Sequence, residues 1–377
     1  MKNARFWTLF INRLLGIVMY FTLFTVFSCN AQLPVDRATV FKRAQSLDNG
    51  VSVSWLEQTW NNDVLDRVAI KVSDFQLLKQ LGFKTIRLPV AFEHYQTNNV
   101  SIEKVFAHID HVYKLCQLYG FKLIICYHSG NLTDDTYMAE NKKVIDLWTI
   151  LAKKYIHQSP DNLFFELYNE PPHMNPDTWK NSANEIITAI RSIDKSRTFI
   201  VGASNFNSIY ELSRTTPLAD GNVIYTFHFY EPFFFTHQGA DWIGDQVSTT
   251  GVPFPYNPDN FPPLNPKATG TWGETNYYQY SRDGNERSVK DKLQIVKNWG
   301  LKYNVPLLCG EYGVYNKYAD QDSRCRYIKA VRQTLKAINI PGILWDYNSN
   351  FSIFNGEPSI HNLPDCMRDA VGFIANK

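Results

Sequence analysis

The chain carries almost no surplus of charge. Across 377 residues, 38 Lys and Arg oppose 36 Asp and Glu, a formal net charge of +2. That balance offers none of the basic footprint that nucleic acid or an anionic lipid surface requires, so no nucleic-acid partner is expected. Cysteines are few: six, with no CxxC or CxxH spacing, which leaves no zinc-type cluster and no expected metal or cofactor. Setting Cys29 aside with the N-terminal segment leaves Cys116, Cys126, Cys309, Cys325 and Cys366. Five thiols cannot all pair, and spacing alone leaves the connectivity open. Long apolar runs are also scarce: "LLGIVMYFTLFTVF" near the N-terminus is too short for a comfortable membrane span. No linker, internal repeat or appended module interrupts the rest.

What is present is a globular composition. Hydrophobic residues make up 44% of the chain, enough for one large domain or two ordinary ones. Aromatics reach 15%, more than a core demands, which hints at flat surfaces offered to a ligand. Lys2, Arg5 and Arg13, the apolar run and then "SCNAQ" read together as an export leader over residues 1–31. Two processing routes fit, lipidation of Cys29 or cleavage after Ala31, and both take residues 32–377 out of the cytoplasm, to a secreted, periplasmic or surface-anchored location. Membrane attachment would come only through a lipidated Cys29.

From residue 50 onward eight short apolar runs recur: "VSVSWL", "FKTIRLPV", "KLIICYH", "LFFELYNE", "TFIVGAS", "VIYTFHFY", "PLLCGEYG" and "GILWDYN". Helical spacing over 72–81, 102–119, 143–156, 179–193 and 324–338 separates them. Strands buried on both faces read as apolar runs, so eight strand–helix units predict an α/β fold, a (β/α)8 TIM barrel forming one catalytic domain. Residues 32–48 are expected to add a short strand or a cap below it.

Polar residues collect at the C-terminal ends of the runs: His128, Asn169 and Glu170, Asn205, His228 and Tyr230, Glu311, and Trp345. In this architecture that end forms the mouth where chemistry occurs. The sixth connection, 231–287, is far longer than an ordinary βα loop and rich in aromatics and proline. It is expected either to wall a binding cleft or to pack on the barrel flank.

Two glutamates, Glu170 after run four and Glu311 after run seven, emerge from opposite sides of an eight-stranded barrel and face each other across its mouth. Burying a carboxylate is costly without a reason. A pair of them suits glycoside hydrolysis, in which one carboxyl protonates the leaving oxygen and the other attacks or activates water. Glu166 shares the inward parity of Glu170 and needs a partner such as an arginine.

"LYNEPP", "TFHFYEP", "LLCGEYGVY" and "LWDYNSNFSIF", with "IRLPV" and "CYH" upstream, resemble glycoside hydrolase family five, the cellulase family of retaining barrel glycosidases. The resemblance covers residues 45–350. It implies Glu170 as acid/base and Glu311 as nucleophile, with Arg87 beside Glu311 favouring its ionised form. It further implies that His228 and Tyr230 hold Glu311 by hydrogen bonds and that Asn169 binds the sugar 2-hydroxyl. His128 would bind the same sugar, and Trp345 would stack beneath it. The "HSG" after run three departs from the family's usual pattern, which puts sugar contacts from Ser129 in doubt.

The implied substrate is a β-linked polysaccharide, first of all β-1,4-glucan cut internally. Mannan, xyloglucan and mixed-linkage glucan are the same-class alternatives, and a sugar-binding barrel without turnover is the different-class one. A metal-dependent barrel hydrolase lacks a His/Asp cluster beyond His128 and His228. Trp55, Trp60, Trp242 and Trp272 are candidate stacking platforms, each equally compatible with ordinary packing. A monomer is the default expectation for a secreted barrel of this kind.

Overall fold

The computed structural model describes residues 35–57, 65, 66 and 68–373. The leader, with Cys29 and Ala31, and Trp60 lie outside the described residues. Eight parallel strands close into a barrel in chain order: β1 Gly50–Ser52, β2 Thr85–Val90, β3 Lys122–Tyr127, β4 Leu163–Glu166, β5 Phe199–Val201, β6 Val223–His228, β7 Leu307–Tyr312 and β8 Gly342–Leu344, the last pairing with β1. Seven of the strands fall inside one apolar run each, and β1 starts one residue before the first run.

Period-two alternation explains why both faces are apolar. Leu123, Ile125, Leu163 and Phe165 pack outward with the surrounding helices in the main hydrophobic cluster, while Ile124, Phe164, Ile200, Ile224, Leu308 and Ile343 form a separate cluster inside the barrel. That inner layer is sealed from below by the helix Arg37–Gln45, which contributes Val40 and Ala44, with Leu47 just beyond. The cap at the barrel's foot is thus helical rather than a strand. Asp36 starts it by accepting from the Thr39 amide at 2.9 Å. Arg43 ties it to the barrel through Asp161 at 2.7 Å and Thr198 at 2.9 Å.

The outer helices match the periodic segments, with shifted starts where polar contacts replace apolar ones. The helix expected from residue 143 begins at Tyr137, because its first turns bury Asn141 against Ser182 and Glu185, both at 2.6 Å. The one expected from 179 begins at Pro176, where the Asn175 side chain caps the Asp177 amide and proline occupies the first turn. Cys325 and Cys366 form the disulfide that spacing left open, joining helix Gln321–Ala337 to helix Asp365–Val371, while Cys116, Cys126 and Cys309 are buried free thiols.

The sixth connection divides its labour. Phe235 and Phe254 pack against Tyr327 on the flank at 5.6 and 5.3 Å, and Phe261 stacks on Tyr280 at 5.5 Å. His237 and Trp242, from the same segment, reach the barrel mouth. Both readings of this segment therefore hold, for different parts of it.

Candidate active site

At the C-terminal end of the barrel lies a cleft of about 580 Å³ lined by His128, Asn169, Glu170, Tyr230, Glu311 and Trp345, together with Glu57, His237, Trp242, Ser349, Asn350 and Phe351. Of the strand-end residues expected there, six line it and His228 lies beneath them against Glu170, whereas Asn205 is not among the lining residues.

Its foundation is Arg87, an inward residue of β2 with no exposed surface. The guanidinium donates to both oxygens of Glu166, at 2.6 and 2.9 Å, to Glu311 Oε1 at 2.7 Å and to Asn169 Oδ1 at 2.8 Å. Ser52 Oγ at 3.3 Å takes the fifth N–H, and Cys126 Sγ lies 3.4 Å from Nη2, whose two hydrogens already face Glu166 and Asn169. A planar fork with five donors is the one side chain that can satisfy so many acceptors at once. Glu166, fully buried, therefore has an arginine as partner and lies below the cleft. Because Asn169 Oδ1 is taken by Arg87, its amide nitrogen is the end left for a ligand.

Glu311 arrives by a local irregularity. The β6–β7 register runs Phe227 opposite Cys309 and then His228 opposite Glu311, so Gly310 is an extra residue on β7. Such a bulge re-aims the following side chain. Gly310 must be glycine, since a Cβ there would fall 2.4 Å from Thr226 Oγ1 and 3.3 Å from His228 Nε2. Burial pushes the Glu311 carboxyl up, against His228, Arg87 and the Tyr230 hydroxyl, which donates to Oε2 at 2.8 Å. With a guanidinium on one oxygen and a phenol on the other, the ionised form is the one this pocket is built to hold.

Glu170 follows β4 with φ at 45°, a left-handed conformation unusual for a residue with a Cβ. Just before it, the Asn169 amide donates to Tyr127 O at 2.8 Å and so prolongs the β3–β4 ladder up to the turn. The Glu170 side chain is about one-third exposed, far more than Glu311.

The expected bond from His228 to Glu311 needs correcting. His228 Nδ1 lies 2.6 Å from Glu170 Oε1 and 3.3 Å from Glu311 Oε2, so its short contact is to Glu170 and it bridges the two carboxylates. The bulge displaces His228 relative to β7 and explains the shift. Burial disfavours a charge on this ring, but Glu311 and Glu170 outweigh it and raise its pKa. His128 is the opposite case: burial first, then Arg87, His228 and His94, hold it well below the ordinary histidine range and hence neutral. Its Nδ1 has no hydrogen-bond partner among the described residues, and its ring lies parallel to Trp345, 7° between planes at 6.0 Å.

One oxygen of Glu170, one ring nitrogen of His228 and one oxygen of Glu311 lie within 4.8 Å of one another, the only such grouping of possible metal donors among the described residues. Arg87 sets a permanent positive charge 2.7 Å from one of those carboxylates, which makes the set a poor home for a cation. The same closeness has a chemical use. Carboxyl groups about 5–5.5 Å apart suit attack and protonation at one anomeric carbon, whereas an inverting site leaves a wider gap for water.

A family model described as Cellulase (glycosyl hydrolase family 5) matches residues 45–351. The chain belongs to glycosyl hydrolase family 5. It is therefore a glycoside hydrolase, and retention through double displacement is general to this family. Among its relatives, Endoglucanase 3 of Fibrobacter succinogenes is 29% identical over 359 residues, covering 88% of this chain. The chain spans about half of that relative's own length, 54%. Endoglucanase C of Acetivibrio thermocellus is also 29% identical, over 305 residues, covering 76% of this chain and 86% of its own. In three dimensions the fold is shared with an endoglucanase of Thermotoga maritima, TM-score 0.71 at 23% identity, across 89% of this chain and 100% of that one.

The family 5 site contains residues that strand-end reasoning missed. Glu57 sits two positions beyond Trp55 in the first run, so the rule that found Glu170 would have found it had it been applied there. His237 lies within the aromatic stretch already named as a wall, and Ser349 and Asn350 follow the eighth run directly. Trp55 is not a platform: it is 6% exposed and packs on Phe75 and Tyr347. Trp242 and Trp272 are 52% and 44% exposed, but only Trp242 lines the cleft.

Proposed function

We propose that residues 32–377 are the catalytic domain of a retaining endo-β-1,4-glucanase with Glu170 as acid/base and Glu311 as nucleophile. The observation that carries this reading is the approach of the two carboxylates to within 4.8 Å around His228 at the foot of the cleft. In the first half-reaction a Glu311 oxygen bonds to the anomeric carbon while the glycosidic C–O bond breaks, and the leaving oxygen takes the Glu170 proton. In the second, Glu170 removes a proton from water, the oxygen of that water bonds to the same carbon, and the ester to Glu311 breaks.

The division of roles follows from surroundings. Arg87 and Tyr230 donate to Glu311 and stabilise its charge, whereas neither touches Glu170, which stands nearer solvent beside His228. Asn169 Nδ2 would donate to the sugar 2-hydroxyl, His128 would bind the same sugar, and the Trp345 ring would support its face.

The endoglucanase names of the Fibrobacter and Acetivibrio relatives support internal cleavage of β-1,4-glucan as the activity. Incubation with carboxymethylcellulose, mannan, xyloglucan and mixed-linkage glucan, with products resolved by size, tests it. Early appearance of mixed short oligosaccharides from the cellulose derivative is expected. Preferential cleavage of mannan or xyloglucan would move the substrate within the family, and turnover of none would favour a sugar-binding barrel. Proton NMR of fresh product should show the β anomer. Residues 1–31 are the proposed export leader, and mass spectrometry of the mature N-terminus distinguishes lipidation at Cys29 from cleavage after Ala31.

A further inference from the structure

His228 has a second neighbour that takes no part in either half-reaction. Its Nδ1 faces the two carboxylates, while its Nε2 faces the side-chain amide of Asn207 at 3.2 Å. Asn207 is fully buried and reaches this place through an unusual backbone. Asn205, Phe206 and Asn207 stand at φ 59, 60 and 55°, three consecutive left-handed residues that all carry a Cβ. The turn is pinned by Asn205 N to Pro172 O and Phe206 N to Pro171 O, both 2.9 Å, directly after Glu170. The amide itself lies over Gly202, where any Cβ would fall 1.9 Å from Asn207 Oδ1. Gly202 and the left-handed turn together admit this one side chain to the ring.

The orientation of the amide follows from hydrogen-bond accounting. With Nδ2 toward the ring, the buried Oδ1 is left without a partner among the described residues. With the amide turned over, that position would hold an N–H2 group instead, and stranded buried donors are rarer than stranded carbonyls. Nδ2 therefore donates, Nε2 is bare, and the ring proton sits on Nδ1, facing Glu170.

We propose that Asn207 is a positioning residue that holds His228 as the neutral ring protonated on Nδ1, and thereby keeps the proton of the Glu170–His228 pair on Glu170. This rests on Glu170 being the acid/base. The same proton count can be arranged in two ways: protonated Glu170 beside a neutral ring, or ionised Glu170 beside an imidazolium. Only the first can protonate a leaving oxygen. Burial and Arg87 from β2 disfavour the cation, but Glu311 from β7 and Glu170 from the end of β4 outweigh them and by themselves raise the ring's pKa, while the neutral His128 at the end of β3 and Tyr230 beyond β6 add no full charge. The amide N–H that Asn207 donates to Nε2 is the contact set against that pull. Asn207 blocks Nε2, the one nitrogen at which the cation could form.

Nitrogen-15 NMR of the histidine-labelled protein tests this directly. In the wild type, His228 should show a bare Nε2 and a protonated Nδ1 between about pH 5 and about pH 7; an imidazolium at about pH 6 would overturn the proposal even if no variant folded. In Asn207→Leu and Asn207→Asp the ring should become cationic at about pH 6. The alkaline limb of kcat/KM on cello-oligosaccharides should then fall by about one pH unit, with about tenfold loss at neutral pH, while a dinitrophenyl cellobioside that needs no acid is cleaved within about twofold of wild type. Variants that lose only thermal stability, with ring tautomer and pH limb unmoved, would reduce Asn207 to a packing role and overturn the proposal. Failure of the wild type to hydrolyse any β-glucan would strike the functional reading instead, since the ring tautomer is read without turnover.

Discussion

Arg87 Nη1 lies 2.7 Å from Glu311 Oε1, and both side chains are withdrawn from water. The same guanidinium holds Glu166 and Asn169, so one side chain rooted in β2 positions groups delivered by β4 and β7. Two carboxylates share a single fixed cation here, and that shortage of positive charge is why Tyr230 and His228 also crowd around Glu311.

Replacing Arg87 by Lys should damage both the chemistry and the fold. An ammonium is a point charge and cannot reach Glu166, Glu311 and Asn169 together, so at least one buried acceptor loses its partner. Loss of about 3–5 kcal/mol in urea unfolding is expected, as for breaking a buried pair, with kcat lower by at least about a hundredfold. Unchanged stability with lowered activity would mean that Glu166 finds another partner or a proton.

The two glutamates can be told apart by azide. In Glu311→Ala the small anion enters the vacated space and attacks an activated aryl glycoside from the side opposite the leaving group, giving the α-glycosyl azide. In Glu170→Ala the glycosyl-enzyme still forms from such a substrate, and azide captures it to give the β product. Proton NMR of the two products assigns the roles. Exchanged anomers would exchange the assignments.

Much of this site was legible because a barrel strand must be apolar until it emerges, and a polar residue at its end is conspicuous. Glu170, Glu311, His228 and Trp345 stood out for that reason. Arg87 and Glu166 were harder, since they lie within strands and their burial makes sense only once they are seen to neutralise each other. Asn207 was beyond such reasoning: its place depends on three successive left-handed residues and on a missing Cβ at Gly202, a tertiary fit that no periodicity encodes. The swap of partner at His228 depends likewise on one extra residue in β7. The helical cap was half legible, because nine residues of mixed pattern do not distinguish a strand from a short helix.

Acid should weaken the fold through His237. Burial lowers its pKa to about 3, and its ring stacks on Phe233 at 3.9 Å. Below the ordinary histidine pKa of about 6.5 the unfolded chain binds a proton that the folded chain refuses, so stability is full above that value and falls toward about pH 3. Between about pH 7 and about pH 5 this one group should remove about 2 kcal/mol. His237→Phe keeps an aromatic ring without the titration, and its urea stability should change correspondingly less over that range. An equal acid loss in both proteins would place the effect elsewhere, His128 being the next candidate.

Trp55 and Trp242 separate packing from binding in one experiment. Trp55 is almost wholly buried between Phe75 and Tyr347, so Trp55→Ala leaves a cavity and should cost about 3–5 kcal/mol of stability. Trp242 is half exposed, lines the cleft and is steadied edge-on by Tyr315 at 4.8 Å. A ring held that way offers its free surface to a sugar, and Trp242→Ala should leave stability within about 0.5 kcal/mol while raising KM on long cello-oligosaccharides about tenfold. Short aryl glycosides that do not extend to Trp242 should be cleaved as before. A KM unchanged for every chain length would remove Trp242 from the binding surface, and leave the sixth connection as a wall that shapes the cleft without gripping its contents.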